Sequence, residues 1–262
     1  MVVVNSKAAR AITIIWSWLS NTVTSFLTGI TIAKEQGMVR KVVRTSAEET
    51  IERFGTLTAA EKYSTALEGT KTHLREVRCI QRALQMVPVG GKVLDVPCGA
   101  GRLQPSLTAL GFQIVAVDSS PHMVALARKR AEARGFEKET EFLVSSIFDT
   151  GLNDDTFDAV ICNRLFHHFR EPQIRRNALR ELRRLCTGTI VVSFFCNLAL
   201  DALVSCLKDA IRRKKPSDRI PIGYGVFARD IDASGLRIER SLATRPGISR
   251  QWYFVVRRKV VP

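Results

Sequence analysis

The residues that could do chemistry fall in three short stretches of this 262-residue chain. In the first, Val93-Leu94-Asp95-Val96-Pro97-Cys98-Gly99-Ala100-Gly101-Arg102, a buried strand runs into a glycine turn that opens a helix. Val93, Leu94 and Val96 carry the strand, Pro97 breaks it, and Gly99 and Gly101 let backbone approach a ligand without a Cβ in the way. In the second, Ile114-Val115-Ala116-Val117 ends in Asp118, and an acid at the end of a second strand is the group that grips a ribose in dinucleotide-type folds. The third is Asn163-Arg164-Leu165-Phe166-His167-His168-Phe169, which holds two of the four histidines. Imidazole titrates near neutral pH, so His167 and His168 are the candidates for a general base, a role worth on the order of 100- to 10,000-fold in rate.

From Val93 to about Ser193 these stretches resemble the class I S-adenosylmethionine-dependent methyltransferases, in the style of the small-molecule and quinone-biosynthesis enzymes. The loop reads D-x-P-x-G-x-G, the methyltransferase pattern with its first glycine replaced by Pro97. A nicotinamide dinucleotide would favour G-x-G-x-x-G and ranks below. The resemblance implies S-adenosyl-L-methionine as cofactor, with Asp95, Pro97, Gly99, Ala100 and Gly101 at its amino-acid end and Asp118 and Ser119 at the ribose. It places Ser146 and Ile147 at the adenine and counts Asn163, at the start of the third stretch, among the cofactor-binding residues. Relatives commonly carry an aspartate where Ser146 stands, so Asp149 is the alternative acceptor. The acceptor is expected over the third stretch, with Arg164, Tyr224 and Phe227 as substrate residues and residues 213–229 as a lid. Methyl transfer is an in-line displacement that depends chiefly on holding donor and acceptor about 3 Å apart. There is no N-P-P-Y to suggest nucleobase amines, and Cys98 lies in the wrong loop to be a cytosine-5 nucleophile.

Positioning these groups requires an α/β architecture: a Rossmann-like, doubly wound, seven-stranded sheet, mostly parallel, with an antiparallel last strand and a helical N-terminal extension. Leu74, Val77, Ile80, Leu84 and Val87 recur at helical spacing, begun by Thr70 or Thr72 and stopped by Pro88-Val89-Gly90-Gly91. A crossover helix at 103–110, strands at 112–117, 141–145, 157–162 and 189–195, and a basic helix at 172–185 follow. Leu198 to about Arg212 reads as a further helix, and strands at 236–242 and 251–256 close the chain. The domain is expected over residues 70–262, with 1–69 as the extension. Within that extension residues 34–60 read as a polar connector containing a short helix around Glu48, Glu49 and Glu52. Tyr63, Arg75 and Arg78 are further candidates for covering the cofactor carboxylate.

Residues 11–33 carry no charge and are fenced by Arg10 and Lys34. Ile12, Trp16, Leu19, Val23, Phe26 and Ile30 fall at three-four spacing with serines and threonines on most of the other face, an amphipathic pattern that suits a membrane-associated helix. An ordinary packing helix and a targeting segment rank second and third. The six cysteines show no C-x-x-C pair and no zinc-type spacing with histidine, so no metal is expected and a reducing, cytoplasmic setting is. The net charge of +15 implies an anionic partner. Much of it lies in Arg164, Arg170, Arg175, Arg176, Arg180, Arg183 and Arg184 and in Arg212-Arg213-Lys214-Lys215. The leading expectation is therefore a methyltransferase for a small-molecule or lipid-like acceptor, associated with an anionic membrane surface. An RNA-modifying methyltransferase and a non-catalytic S-adenosylmethionine-binding protein are the alternatives, and oligomeric state is left open.

Overall fold

The structure is a computed structural model that describes residues 44–66, 68–197, 199–201, 204 and 219–259. The compact unit begins at Arg44, not at residue 70. Three helices lead in: α1 (Ser46–Phe54), α2 (Leu57–Ala66) and α3 (Lys71–Ala83). The wound core follows as β1 (Lys92–Asp95), α4 (Gln104–Thr108), β2 (Gln113–Asp118), α5 (Pro121–Arg134), β3 (Thr140–Val144) and β4 (Phe157–Cys162). It continues with α6 (Pro172–Leu185), β5 (Cys186–Phe195), α7 (Tyr224–Ala233), β6 (Leu236–Ala243) and β7 (Gln251–Arg258). Residues 11–33, most of the helix expected after Leu198 and the basic run at 212–215 lie outside the described residues. Among the described residues no helix is long and apolar enough to cross a membrane.

The seven strands lie in the order β3-β2-β1-β4-β5-β7-β6, with β7 antiparallel to both β5 and β6 and the other pairings parallel. Parallel strands covered on both faces read as continuous apolar runs, and the period of two divides each run between two cores. Leu94, Val96, Val115 and Val117 join Phe166, Leu179, Phe194 and Phe254 on one face. Val93, Ile114 and Ala116 join Ile80, Leu84, Leu107 and Ala127 on the other. Strand order reverses between β1's neighbours β2 and β4, so the loops leaving β1 and β4 part in opposite directions and open a cleft at their carboxyl ends.

Capping fixes the helix starts near that cleft. Thr45 and Glu48 form a reciprocal capping box on α1, Thr70 caps α3, and Ser120 with Pro121 starts α5. Two elements depart from expectation in length. The crossover helix contracts to Gln104–Thr108, and β5 starts at Cys186 because Gly188 admits the strand beside β4, where a Cβ would stand 2.2 Å from Asp158 O. The α3 stripe is also rotated: Leu74 is exposed, whereas His73 and Glu76 are buried with Val77 and Ile80.

Candidate active site

The cleft holds about 1040 Å³ of empty space, part of it open to solvent. Its floor is the turn after β1, where Pro97, Cys98 and Gly99 line the wall. Gly99 and Gly101 have φ of 54° and 80°, and a Cβ on Gly101 would lie 2.7 Å from Gln104 Oε1 and 3.1 Å from Ala127. The turn therefore depends on glycine both for its backbone and for packing against α5. Asp95, Ala100 and Gly101 stand behind this wall and do not line the cleft.

Asp118 closes the next side. Its Oδ2 accepts from Gly99 N at 2.9 Å and its Oδ1 from Ser120 N at 2.9 Å, tying the end of β2 to the glycine turn. Burial raises its pKa, opposed by backbone N–H bonds from Ser120, Gly99 and Ser119. Asp95, wholly buried, is pushed up to about 8 by desolvation; Gln104 Nε2 donates to its Oδ2 at 3.0 Å, and its Oδ1 has no partner among the described residues. Burial also drives the Cys98 thiol well above its usual range, so Cys98 is no thiolate nucleophile.

Beyond Asp118, Ser145, Ser146, Ile147 and Phe148 form the third wall. Ser146 Oγ accepts from Phe148 N at 3.2 Å, a local turn that presents the serine to the cleft. Asp149, the alternative acid, accepts from Gly151 N at 3.3 Å through its own Oδ1 and does not line the cleft. The β4 loop brings Asn163, Arg164, Leu165, His167, His168 and Phe169 together on the fourth side. Asn163 Oδ1 accepts from Tyr253 Oη at 3.2 Å.

The two histidines differ in setting. His167 is 1% exposed, stacks on Phe195 with centroids 3.9 Å apart and planes 3° apart, and has no partner for Nδ1 among the described residues. Burial, then His168, Arg164, Arg219 and Arg250, hold its pKa well below the usual value, so it is neutral near pH 7. His168 is 8% exposed, 4.3 Å from the His167 ring, and meets the edge of Phe54 at 5.5 Å.

Phe54 belongs to α1, the part of the chain read as a polar connector. Ala47, Thr50, Ile51 and Phe54 line the cleft, and Ser46 anchors the helix by donating to Glu171 and accepting from Arg170 N at 3.1 Å. The i, i+4, i+7 spacing of Ala47, Ile51 and Phe54 carried that signal beneath the glutamates. Arg102 and Arg219 are also in the wall, and neither stood among the residues assigned from sequence. Conversely, Tyr224 and Phe227 do not line the cleft. Phe227 is fully buried on α7 between Phe166, Phe194 and Phe254, and Tyr224 packs on Trp252 and Phe254 with its hydroxyl 2.7 Å from Ser241 Oγ. Arg75 and Arg78 are likewise absent from the wall, and the side chain of Tyr63 lies outside the described residues.

This strand order, with a glycine turn after β1, an acid ending β2 and an antiparallel β7, is the architecture of class I methyltransferases. Residues 93–188 match the family described as a methyltransferase domain. Over 100 residues the chain is 34% identical to a ubiquinone biosynthesis O-methyltransferase of Xanthomonas axonopodis pv. citri, covering 38% of this chain and 41% of that protein. Over 175 residues it is 29% identical to the mitochondrial ubiquinone biosynthesis O-methyltransferase of Schizosaccharomyces pombe, covering 66% and 58% respectively. The chain thus spans from about two-fifths to three-fifths of these relatives. Magnesium protoporphyrin IX methyltransferase of Synechocystis PCC 6803, solved with bound S-adenosylhomocysteine, shares the fold at TM-score 0.65 and 18% identity, covering 80% of this chain and all of that one. Residues 93–188 thus form a methyltransferase domain, and the fold around them is that of class I S-adenosylmethionine-dependent methyltransferases. The residues lining the cleft are of the kinds that cofactor would need: the Asp118 carboxylate for hydroxyls, the Gly99 turn beside Arg102, and Ser146 next to Ile147 and Phe148 for a flat heterocycle.

Proposed function

We propose that this protein methylates a hydroxyl oxygen on a small, largely apolar, aromatic acceptor of phenol or quinol type. The observation that carries the reading is the apolar share of the cleft lining, Ala47, Ile51, Phe54, Phe148 and Phe169, with Phe54 packed edge-on against His168. When bound, S-adenosylmethionine supplies an electrophilic methyl on a sulfonium. The chain supplies the rest. Aromatic edges at Phe54 and along the Phe148–Phe169 pair, 5.6 Å apart, hold a planar acceptor. His168 receives the hydroxyl proton as the oxygen gains its methyl, and His167, neutral and locked on Phe195, backs it. The names of the curated relatives support an oxygen acceptor and a quinone-type substrate.

The basic β4-to-β5 segment gives little support to the nucleic-acid alternative, because much of it is paired within the chain. Arg175 and Arg176 meet Asp230 at 2.7 and 2.9 Å, Arg184 meets Glu181 and Asp154, Arg170 meets Glu49, and Arg164 meets Glu76. A lipid-like acceptor accords with a membrane-associated segment at residues 11–33 in an otherwise cytoplasmic protein. Methyl-labelled S-adenosylmethionine, given to the protein with a cell extract afterwards split into lipid, RNA and soluble fractions, tests the reading. Label in the lipid or soluble small-molecule fraction is expected, and label confined to RNA would overturn it.

A further inference from the structure

A second hollow adjoins the cleft, bounded by α1 and α6. It holds about 810 Å³ of empty space, part of it open to solvent. Ala47 of α1 and Phe148 line it as they line the cleft, so the two spaces share a wall. The rest of its lining comes from α6. Ile174, Asn177, Glu181 and Arg184 follow one another at three- and four-residue spacing, which sets them in a single stripe along the helix, with Arg180 beside it.

That stripe passes from apolar to polar. Ile174 and Phe148 pack against the core that holds Phe166 and Leu179, and Phe148 meets Phe169 of the cleft at 5.6 Å. Towards the other end of α6, Glu181 and Arg184 satisfy each other: they pair at 2.7 Å, Arg184 also meets Asp154, and Glu181 accepts from Thr150 N at 3.0 Å and Thr150 Oγ1 at 2.6 Å. Arg180 is different. It is exposed, and among the described residues it meets no carboxylate; its Nη1 donates to Asn177 Oδ1 at 3.1 Å. That oxygen also accepts from Gln173 Nε2 at 2.8 Å, so what Asn177 and Arg180 still offer the groove is N–H donors alone. A hydrocarbon laid against these donors would strip water from them and return nothing, whereas an anion replaces the water it displaces.

We propose that this groove extends the acceptor site: it takes a saturated side chain of the phenolic acceptor, packed on Ala47, Phe148 and Ile174, and Arg180 with Asn177 binds a carboxylate at the end of that chain. The inference rests on the O-methylation reading and narrows its substrate class from a phenol or quinol to a hydroxyaryl alkanoate. All these contacts fall on parts of the acceptor remote from the reacting oxygen. They are made equally in the ground state and the transition state, so they show in KM and leave kcat to the residues around His168.

The test is steady-state methylation, by the full chain with S-adenosylmethionine, of three catechols that share one straight alkyl chain ended by a carboxylate, a methyl ester or a primary ammonium, with unsubstituted catechol alongside. The wild type is expected to show a KM for the acid about three- to tenfold below that for the ester, and highest for the ammonium, at similar kcat, as a charge-assisted contact in a partly exposed groove implies. The preference should shrink as salt is raised. Arg180→Glu, at an exposed position, should invert the order and favour the ammonium over the acid, which a general loss of packing would not do. Ile174→Trp, which fills the groove, should raise KM for all three chain-bearing acceptors more than for catechol itself. Equal wild-type KM for acid and ester, or an order that survives Arg180→Glu, would overturn the subsite while leaving O-methylation in place. Turnover of none of the four catechols would remove the acceptor reading and the subsite with it.

Discussion

Asp118 is where the account is most exposed to a single substitution. Its carboxylate receives two backbone N–H groups at 2.9 Å, from Gly99 and Ser120, and is 7% exposed. Asp118→Ala removes both acceptors and leaves two donors at the cleft wall to water. An unsatisfied buried donor costs about 1–3 kcal/mol, but relief of the carboxylate's own desolvation offsets part of this, so stability should fall by about 1–3 kcal/mol in all. The effect on cofactor affinity is separate. Loss of a charged acceptor facing two ribose hydroxyls should cost about 1.5–3 kcal/mol, roughly a 10- to 150-fold rise in Kd. Asp118→Asn separates the two effects, because it keeps the side-chain shape and one acceptor while removing the charge. Calorimetric titration with S-adenosylhomocysteine, with thermal unfolding in parallel, reads both quantities. A folded Asp118→Asn protein that binds S-adenosylhomocysteine as tightly as wild type would refute the ribose assignment.

Asp95→Asn should change how stability depends on pH. The folded-state pKa is about 8 against a model value of 3.8, so between about pH 4 and pH 8 the folded chain holds a proton the unfolded chain lacks. Stability therefore falls as pH rises through that window, on the order of 1 kcal/mol per unit, and levels off above it; denaturant melts from pH 5 to 9 should show the slope lost in the variant. His168→Ala should lower kcat by about 100- to 10,000-fold with S-adenosylhomocysteine affinity unchanged, whereas an equal loss of both would make His168 a packing residue. Phe54→Ala should raise the acceptor KM by about tenfold, since it deletes one aromatic wall, and an unchanged acceptor KM would place the acceptor elsewhere. Removing residues 1–43 should shift the protein from the membrane to the soluble fraction with cofactor affinity kept; a full-length chain that never sediments with membranes would end the anchor proposal.

What could be read in advance was whatever local pattern determines. The β1 strand, its glycine turn, Asp118 and the β4 loop were legible because strand period, chain-breaking residues and loop order suffice to bring strand ends to one side of a parallel sheet. The residues that were missed owe their roles to partners far along the chain. Glu76 sits among charges on α3 and reads as a solvated position, yet it is buried because Arg102 and Arg164 arrive from two other loops. Helix α1 reads as a connector because Glu48, Glu49 and Glu52 mask Ala47, Ile51 and Phe54. Tyr224 and Phe227 follow an irregular, basic stretch and so resemble a lid. Their three-residue spacing, extended to Ile231, is that of a helix packed against the sheet, and it takes Phe227 into the core.

The most direct measurement is product analysis. Purified full-length protein is incubated with S-adenosylmethionine bearing a trideuterated methyl and an apolar-substituted catechol or quinol, and the product is resolved by mass spectrometry with fragmentation. The account predicts one trideuterated methoxy group, formed on oxygen, suppressed by added S-adenosylhomocysteine and by Asp118→Asn. Label on nitrogen or carbon, or no transfer to any hydroxylated acceptor by a chain that binds S-adenosylhomocysteine tightly, would contradict it.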